Sequence, residues 1–133
     1  MSRILGRHAD TIYGLLRIVA GFMFMCHGLQ KIAGTFPGPM PPPPVGSFFW
    51  FGGLIELVCG FLIMIGLLTS WAAFLASGTM AVAYFMVHQK MGPLPIQNQG
   101  ELAALYSFVF LYFAARGSGG LSVARALGNP KLD

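Results

Sequence analysis

The sequence predicts an all-α fold, a polytopic membrane protein in which four transmembrane helices form one bundle. Only 9% of its 133 residues are charged, whereas soluble domains carry about 25%. Hydrophobic residues make up 56% of the chain, and the mean hydropathy is +0.70. The apolar residues also fall into four long blocks. These observations exclude a typical cytosolic enzyme and a disordered protein, and the length allows a single domain.

Each apolar block is close to the length of a membrane span, because about 20 helical residues cross a hydrocarbon layer of about 30 Å. A single membrane domain is therefore predicted over residues 1–133, with spans at about 11–33, 48–68, 71–88 and 99–116. The third and fourth blocks are the shorter ones. The first block is interpreted as a retained helix and not a signal peptide, since it is long, contains Arg17 and precedes no small-residue cleavage site.

Basic residues predict the orientation of the spans. They lie before the first span and after the fourth, at Arg3, Arg7, Arg116, Arg125 and Lys131. Because positive residues stay on the cytoplasmic side, both termini are predicted to be cytoplasmic in a bacterial inner membrane. The net charge of +4 is then explained by the orientation of the chain in the membrane. No nucleic-acid partner is predicted, because no nucleic-acid-binding motif accompanies the charge.

The two outer connections differ in character. The Pro-rich outer loop at 34–47 contains four consecutive prolines and is predicted to be an extended spacer. Asn98, in the second connection, lies three residues before Glu101, a spacing typical of helix capping. After the fourth span, the Gly-rich residues 117–120 are interpreted as a flexible exit.

Polar residues within the spans share helical faces with small residues. Arg17, His27 and Lys31 fall on one face of the first span, and Glu56 lies on a Gly-rich face of the second. In the fourth span Glu101 shares its face with Leu105, Phe108 and Tyr112. Since polar groups avoid lipid, these faces are predicted to meet inside the bundle. The predicted polar cluster comprises Arg17, His27, Lys31, Glu56, His88 and Glu101.

The depth of each residue divides this cluster. All members lie in the outer half of the bundle except Arg17, which is near the cytoplasmic end. A carboxylate as deep as Glu56 is costly unless it is paired. Glu56 is therefore predicted to contact the first span at His27, Arg17 or Lys31, and His27 is its expected partner. The pair is either a structural hydrogen bond or part of a site that handles protons or a ligand. The alternatives without a functional site are snorkelling for Lys31 and Arg17, capping of the fourth helix for Glu101 and a solvated side chain for His88.

The remaining chemistry-bearing residues predict no intrinsic cofactor. Cys26 and Cys59 lie on different spans without a C-x-x-C spacing, and no zinc motif is present. The histidines give no matched axial pair for haem. If the outer cluster binds anything, a quinone-like or lipid head group fits best, because a quinone needs a proton donor or acceptor at each carbonyl.

Three segments resemble the DoxX family of small bacterial four-helix membrane proteins. They are residues 15–34 with R-x-x-x-G and H-G-x-x-K, residues 51–76 with G-G-x-x-E-x-x-x-G, and residues 98–123 with N-x-G-E. The polar positions that match are Arg17, His27, Lys31, Glu56, Asn98 and Glu101. The chain departs from the family's G-P-G…S-x-D run at Ser118 and Ala124. The resemblance implies an association with a thiosulfate:quinone oxidoreductase or with other membrane redox assemblies.

Three functional hypotheses follow. The first is a non-catalytic accessory subunit of a membrane redox or energy-converting complex, favoured by the small size and the lack of cofactor motifs. The second is a quinone-linked oxidoreductase subunit with a quinone site in the outer half of the bundle. The third is a small transporter. The predicted partners are the lipid bilayer and either a larger membrane protein complex or further copies of the chain.

Overall fold

The computed structural model describes residues 4–38 and 40–133; Arg3, used above for the orientation, lies outside them. Within these residues every regular element is helical. The α-helices are α1 (Ala9–Ala33), α2 (Phe48–Ile65), α3 (Thr69–Ala83), α4 (Glu101–Arg116) and the short α5 (Val123–Ala126). A π-helical turn, Tyr84–His88, extends α3, and the short 3-10 turns are Gly6–His8, Gln89–Met91 and Pro130–Leu132.

Three helical segments are long and apolar enough to cross a membrane. They are Gly6–Ala33, Phe48–Ile65 and Thr69–Met91. The fourth helix, α4, has 16 residues, which is shorter than the roughly 20 of a typical span. The structure therefore supports an all-helical membrane protein with three candidate spans. The fourth span, and with it the four-helix bundle, stays a prediction.

Helices α1 and α2 run antiparallel and pack through glycines. A Cβ atom at Gly21 would lie 2.5 Å from the backbone nitrogen of Met64, and one at Gly60 would lie 2.5 Å from that of Met25. Such contacts leave no room for a side chain, so the glycines allow the two backbones to touch. We call the end where α1 ends and α2 begins the loop end, and the opposite end the tail end.

Helix α4 buries a different face from the predicted one. Tyr106, Phe110 and Phe113 are buried, whereas Glu101 and the three residues predicted to share its face are exposed. The Phe24 ring of α1 lies 5.7 Å from the Tyr106 ring and 4.7 Å from the Phe110 ring. The prediction failed because α4 is apolar on all sides. Its orientation is set by aromatic packing and not by the single carboxylate in its first turn.

The residues after α4 fold back onto the tail end, so the interpretation of 117–120 as a flexible exit is wrong. The hydroxyls of Thr69 and Ser118 are 2.9 Å apart, and Tyr13 Oη donates to the Gly117 carbonyl at 2.5 Å. The backbone N–H of Leu68 donates to the Leu132 carbonyl at 2.7 Å. This segment, residues 117–133, is called the tail below.

Candidate functional site

An ion pair between α1 and α2 lies at the loop end. Lys31 Nζ donates to Glu56 Oε1 at 2.6 Å. The Glu56 side chain is 4% accessible and the Lys31 side chain 34%. Gly53 allows this approach, because a Cβ atom there would lie 2.7 Å from the Lys31 Cβ. The prediction that Glu56 contacts the first helix is confirmed.

The prediction that His27 is the partner of Glu56 is wrong. The His27 side chain is exposed, and His27 makes no hydrogen bond with Glu56 in the described structure. Gly28 marks the line along which α1 touches α2. On a helix His27 is turned away from this line by about 100°, but Lys31 by only about 60°. The longer lysine side chain also reaches across the remaining distance. Lys31 therefore pairs with the Glu56 carboxylate, because the His27 side chain points away from α2.

Two buried oxygen atoms near this pair have no hydrogen-bond partner within the described residues. They are Glu56 Oε2 and Tyr106 Oη. Glu56 is 3% exposed and Tyr106 is 5% exposed. Buried polar atoms are nearly always hydrogen-bonded, so two unpaired oxygens call for an explanation such as a bound ligand or water.

Both oxygens belong to residues that line one cavity of about 240 Å³. His27, Lys31 and His88 contribute the other titratable side chains of its wall, and Phe24, Leu102 and Ala103 contribute apolar surface. We call this space the polar cavity. It brings together four of the six residues of the predicted cluster. Arg17 and Glu101 are not part of its wall.

The π-helical turn contributes His88 to the wall of the polar cavity and is held by the α3–α4 connection. The His88 Nδ1 atom lies 3.0 Å from the Asn98 carbonyl oxygen, and the His88 ring stacks on Tyr84 with centroids 6.4 Å apart. Single π-helical turns are frequent at functional sites because they re-aim side chains. Here the turn directs His88 towards the connection, so its ring is half-buried and not simply solvated.

Asn98 does not cap α4, contrary to the prediction. The N-cap residue is Gly100, which makes no side-chain cap. Asn98 Oδ1 accepts a hydrogen bond from the Gly100 N–H at 2.9 Å, and its Nδ2 donates to the Gly92 carbonyl at 2.9 Å. The Asn98 side chain thus links two backbone positions of the α3–α4 connection, as Asn side chains commonly do in turns.

Arg17 forms a separate site at the tail end. Its side chain is 0% exposed and it donates only to backbone carbonyls. They belong to Ile63 at 2.5 Å, Met64 at 2.9 Å, Ser118 at 2.9 Å, Gly120 at 3.3 Å and Leu121 at 2.7 Å. The two α2 carbonyls lie at the C-terminal, negative end of that helix dipole. Arg17 therefore joins α2 to the tail and does not snorkel.

Comparison with known proteins agrees with the helical membrane architecture. The DoxX family model matches residues 13–89, more than half of the chain. The chain belongs to the DoxX family. It is 42% identical over 121 residues to an uncharacterized protein of Haemophilus influenzae, a match covering 86% of this chain and 90% of the relative.

A second relative is an uncharacterized membrane protein of Mycobacterium tuberculosis, 35% identical over 66 residues, or 44% of this chain and 39% of the relative. No solved structure matches the chain. The DoxX match includes Arg17, Lys31 and Glu56 and ends after His88. It leaves out α4 with Tyr106.

Tyr106 is the site residue that the sequence analysis of this DoxX chain missed. The signal was a tyrosine hydroxyl in the middle of a mostly apolar helix, five residues after Glu101. Such a group needs a partner when it is buried. Metal ligation has no basis in residues 4–38 and 40–133, where no three His, Cys, Asp or Glu side chains form a group. Cys26 and Cys59 are free thiols there.

Proposed function

We propose that this DoxX protein binds a quinone head group in the polar cavity, as a subunit of a membrane redox or energy-converting complex. The observation that carries the proposal is the pair of unpaired oxygens, Glu56 Oε2 and Tyr106 Oη, in the wall of one cavity. Both atoms are buried, and a buried polar atom without a hydrogen bond is costly. A ligand with polar atoms on an otherwise apolar ring would supply the missing partners.

The chemistry of the wall suits both redox states of a quinone. A carbonyl oxygen of the oxidised ring accepts hydrogen bonds, which Lys31 Nζ and Tyr106 Oη are able to donate. A hydroxyl of the reduced ring donates, and Glu56 Oε2 accepts. The apolar side chains of Phe24 and Leu102 would contact the ring faces. The association of the DoxX family with a quinone oxidoreductase favours the same ligand class.

The second candidate is a non-catalytic accessory subunit, in which the Lys31–Glu56 pair only fastens α1 to α2. Exposed apolar side chains on the far face of α1, such as Leu15 and Phe22, favour it because they present a packing surface. In that role the lipid-facing surface carries the function. Quinone binding separates the two candidates, since an accessory subunit without a ligand has no saturable site.

The architecture we propose is one domain with four spans. Helix α4 supports the fourth, because Leu105, Phe108 and Leu111 are exposed opposite its buried face. A large exposed apolar face is unfavourable in water but expected in lipid. Four spans would place both ends of the described chain on the same side of the membrane.

Cysteine labelling tests the proposed orientation. In a chain with Cys26 and Cys59 replaced by alanine, a cysteine at Val45 should react with a membrane-impermeant maleimide in intact cells. One at Leu127 should react only after lysis, because basic residues of the tail hold that end in the cytoplasm. Both side chains are more than half exposed, at 83% and 63%, so accessibility within the fold does not limit the reaction. Labelling of the Leu127 variant in intact cells would reverse the orientation.

Binding of a quinone without a long tail tests the proposed function. In nanodiscs the parent protein should bind its reduced form, the quinol, saturably, and Glu56→Gln should weaken this binding about 10-fold, which corresponds to about 1.4 kcal/mol. A neutral amide accepts a weaker hydrogen bond from the quinol hydroxyl than the Glu56 carboxylate does. Tyr106→Phe should have a similar effect, since it removes the hydrogen bond between Tyr106 Oη and the ring.

Glu101→Gln is the matched control, because Glu101 is exposed at the same end of the protein. Its affinity should equal that of the parent. A parent protein without saturable binding would overturn the quinone site and favour the accessory-subunit candidate. Equal affinities of the Glu56 and Glu101 variants would remove Glu56 from the site.

A further inference from the structure

A large apolar groove lies between α2 and α3 at the loop end. Its volume is about 490 Å³. Phe48, Phe51 and Ile55 of α2 face Phe74 and Val82 of α3 across it. Phe48 is 59% exposed and Phe74 is 64% exposed, so the groove opens sideways at the surface that would contact lipid.

The groove and the polar cavity share part of their walls. Lys31, Glu56, Met80 and Ala83 line both. The ion pair therefore borders both the groove and the polar cavity. A molecule lying along the groove would have its inner end at Lys31 and Glu56.

Two glycines keep the groove open. A Cβ atom at Gly52 or at Gly78 would meet no atom of the described residues within 4 Å, apart from the glycine's own neighbours and helix backbone. This contrasts with Gly21 and Gly60, where the neighbouring backbone fills the space. The glycines at the groove thus do not serve helix packing. They leave a space between α2 and α3 that the described protein does not fill.

We infer that the groove seats the isoprenoid-like tail of a lipid-soluble quinone, which reaches the polar cavity laterally from the bilayer. This inference rests on the proposed function and specifies its ligand class as a long-tailed quinone. Three surfaces follow one another along the groove: exposed aromatic rings at the mouth, an apolar channel over Gly52 and Gly78, and the Lys31–Glu56 ion pair at the inner end. An amphiphile with one small polar end matches that order, since polar groups at this depth need partners.

Gly78→Leu tests the inference by placing a side chain in the groove. The substitution meets no neighbouring atom at Cβ and replaces a poor helix former by a good one, so the helix should tolerate it. The parent and the variant are compared in nanodiscs with a tail-free quinone and a long-tailed quinone of the same head group. We expect Gly78→Leu to weaken long-tailed binding at least 10-fold while the tail-free affinity changes less than 2-fold.

Ala115→Leu, on the exposed surface of α4, is the matched control and should change neither affinity. Gly52→Leu repeats the test from the opposite wall of the groove, and it should reproduce the selective loss. Unchanged or equally weakened binding of both quinones in the two groove variants would overturn the inference while leaving the polar cavity as the head-group site. Absence of tail-free binding in the parent would instead overturn the proposed function.

Discussion

Replacing Arg17 by methionine is expected to lower the free energy of unfolding by about 3–5 kcal/mol, because several buried carbonyls would lose a charged donor and each such loss costs about 1–3 kcal/mol. Methionine keeps much of the side-chain volume but donates no hydrogen bond. The carbonyls of Met64, Ser118 and Leu121 would then be left inside the protein without the donor they have now. The connection between α2 and the tail would be lost with them.

Thermal or denaturant unfolding in a mild detergent measures this loss, and limited proteolysis reports release of the tail. Arg125→Met is the matched control. Arg125 is exposed and pairs with Asp10 at 2.8 Å, so its loss should cost less than about 1 kcal/mol. Arg17→Lys should fall between the two, because one ammonium has fewer donors than a guanidinium. If Arg17→Met is no less stable than Arg125→Met, the carbonyl network does not hold the tail.

The Lys31–Glu56 pair should respond asymmetrically to substitution. Lys31→Met leaves the Glu56 carboxylate buried without a cation and should cost about 3–5 kcal/mol. Glu56→Leu should cost less, because the Lys31 side chain is one-third accessible and is able to extend towards the polar surface. The double variant should recover most of the loss caused by Lys31→Met, since no buried charge remains.

A double-mutant cycle on unfolding free energies measures the coupling between the two residues. The Asp10–Arg125 pair provides the comparison: both side chains are at least half accessible, and its coupling should be below about 1 kcal/mol. Equal costs for the two single substitutions, together with an additive double variant, would show that the 2.6 Å contact contributes no net stability.

Burial of charge was predictable from the sequence, but the choice of partner was not. A carboxylate in the second span implied a contact with the first, and the structure has that contact. His27 was the expected partner because its depth in the membrane nearly matches that of Glu56. Depth depends only on position along a helix, whereas the contact also depends on helix rotation and side-chain length. These two quantities favour Lys31.

The buried face of α4 was likewise not predictable from the sequence. A polar residue indicates the buried face only where the rest of the helix is amphipathic. Helix α4 is apolar on every side, so Glu101 in its first turn carried no such information. The packing of Phe24 against Tyr106 and Phe110 orients the helix, and it joins residues more than 80 positions apart.

By itself, the sequence determined the all-helical membrane character, the family and the glycine-lined contact between α1 and α2, because hydropathy and the 3.6-residue period act within single segments. Only the tertiary structure decided that the tail closes over Arg17, that Tyr106 joins Glu56 at one cavity, and that Lys31 is the partner of Glu56. The hydrogen bond from Arg17 to Ser118 spans 101 positions. The physical reason is that a helical period fixes directions around one axis, while contacts between helices depend on how several axes are placed and rotated together.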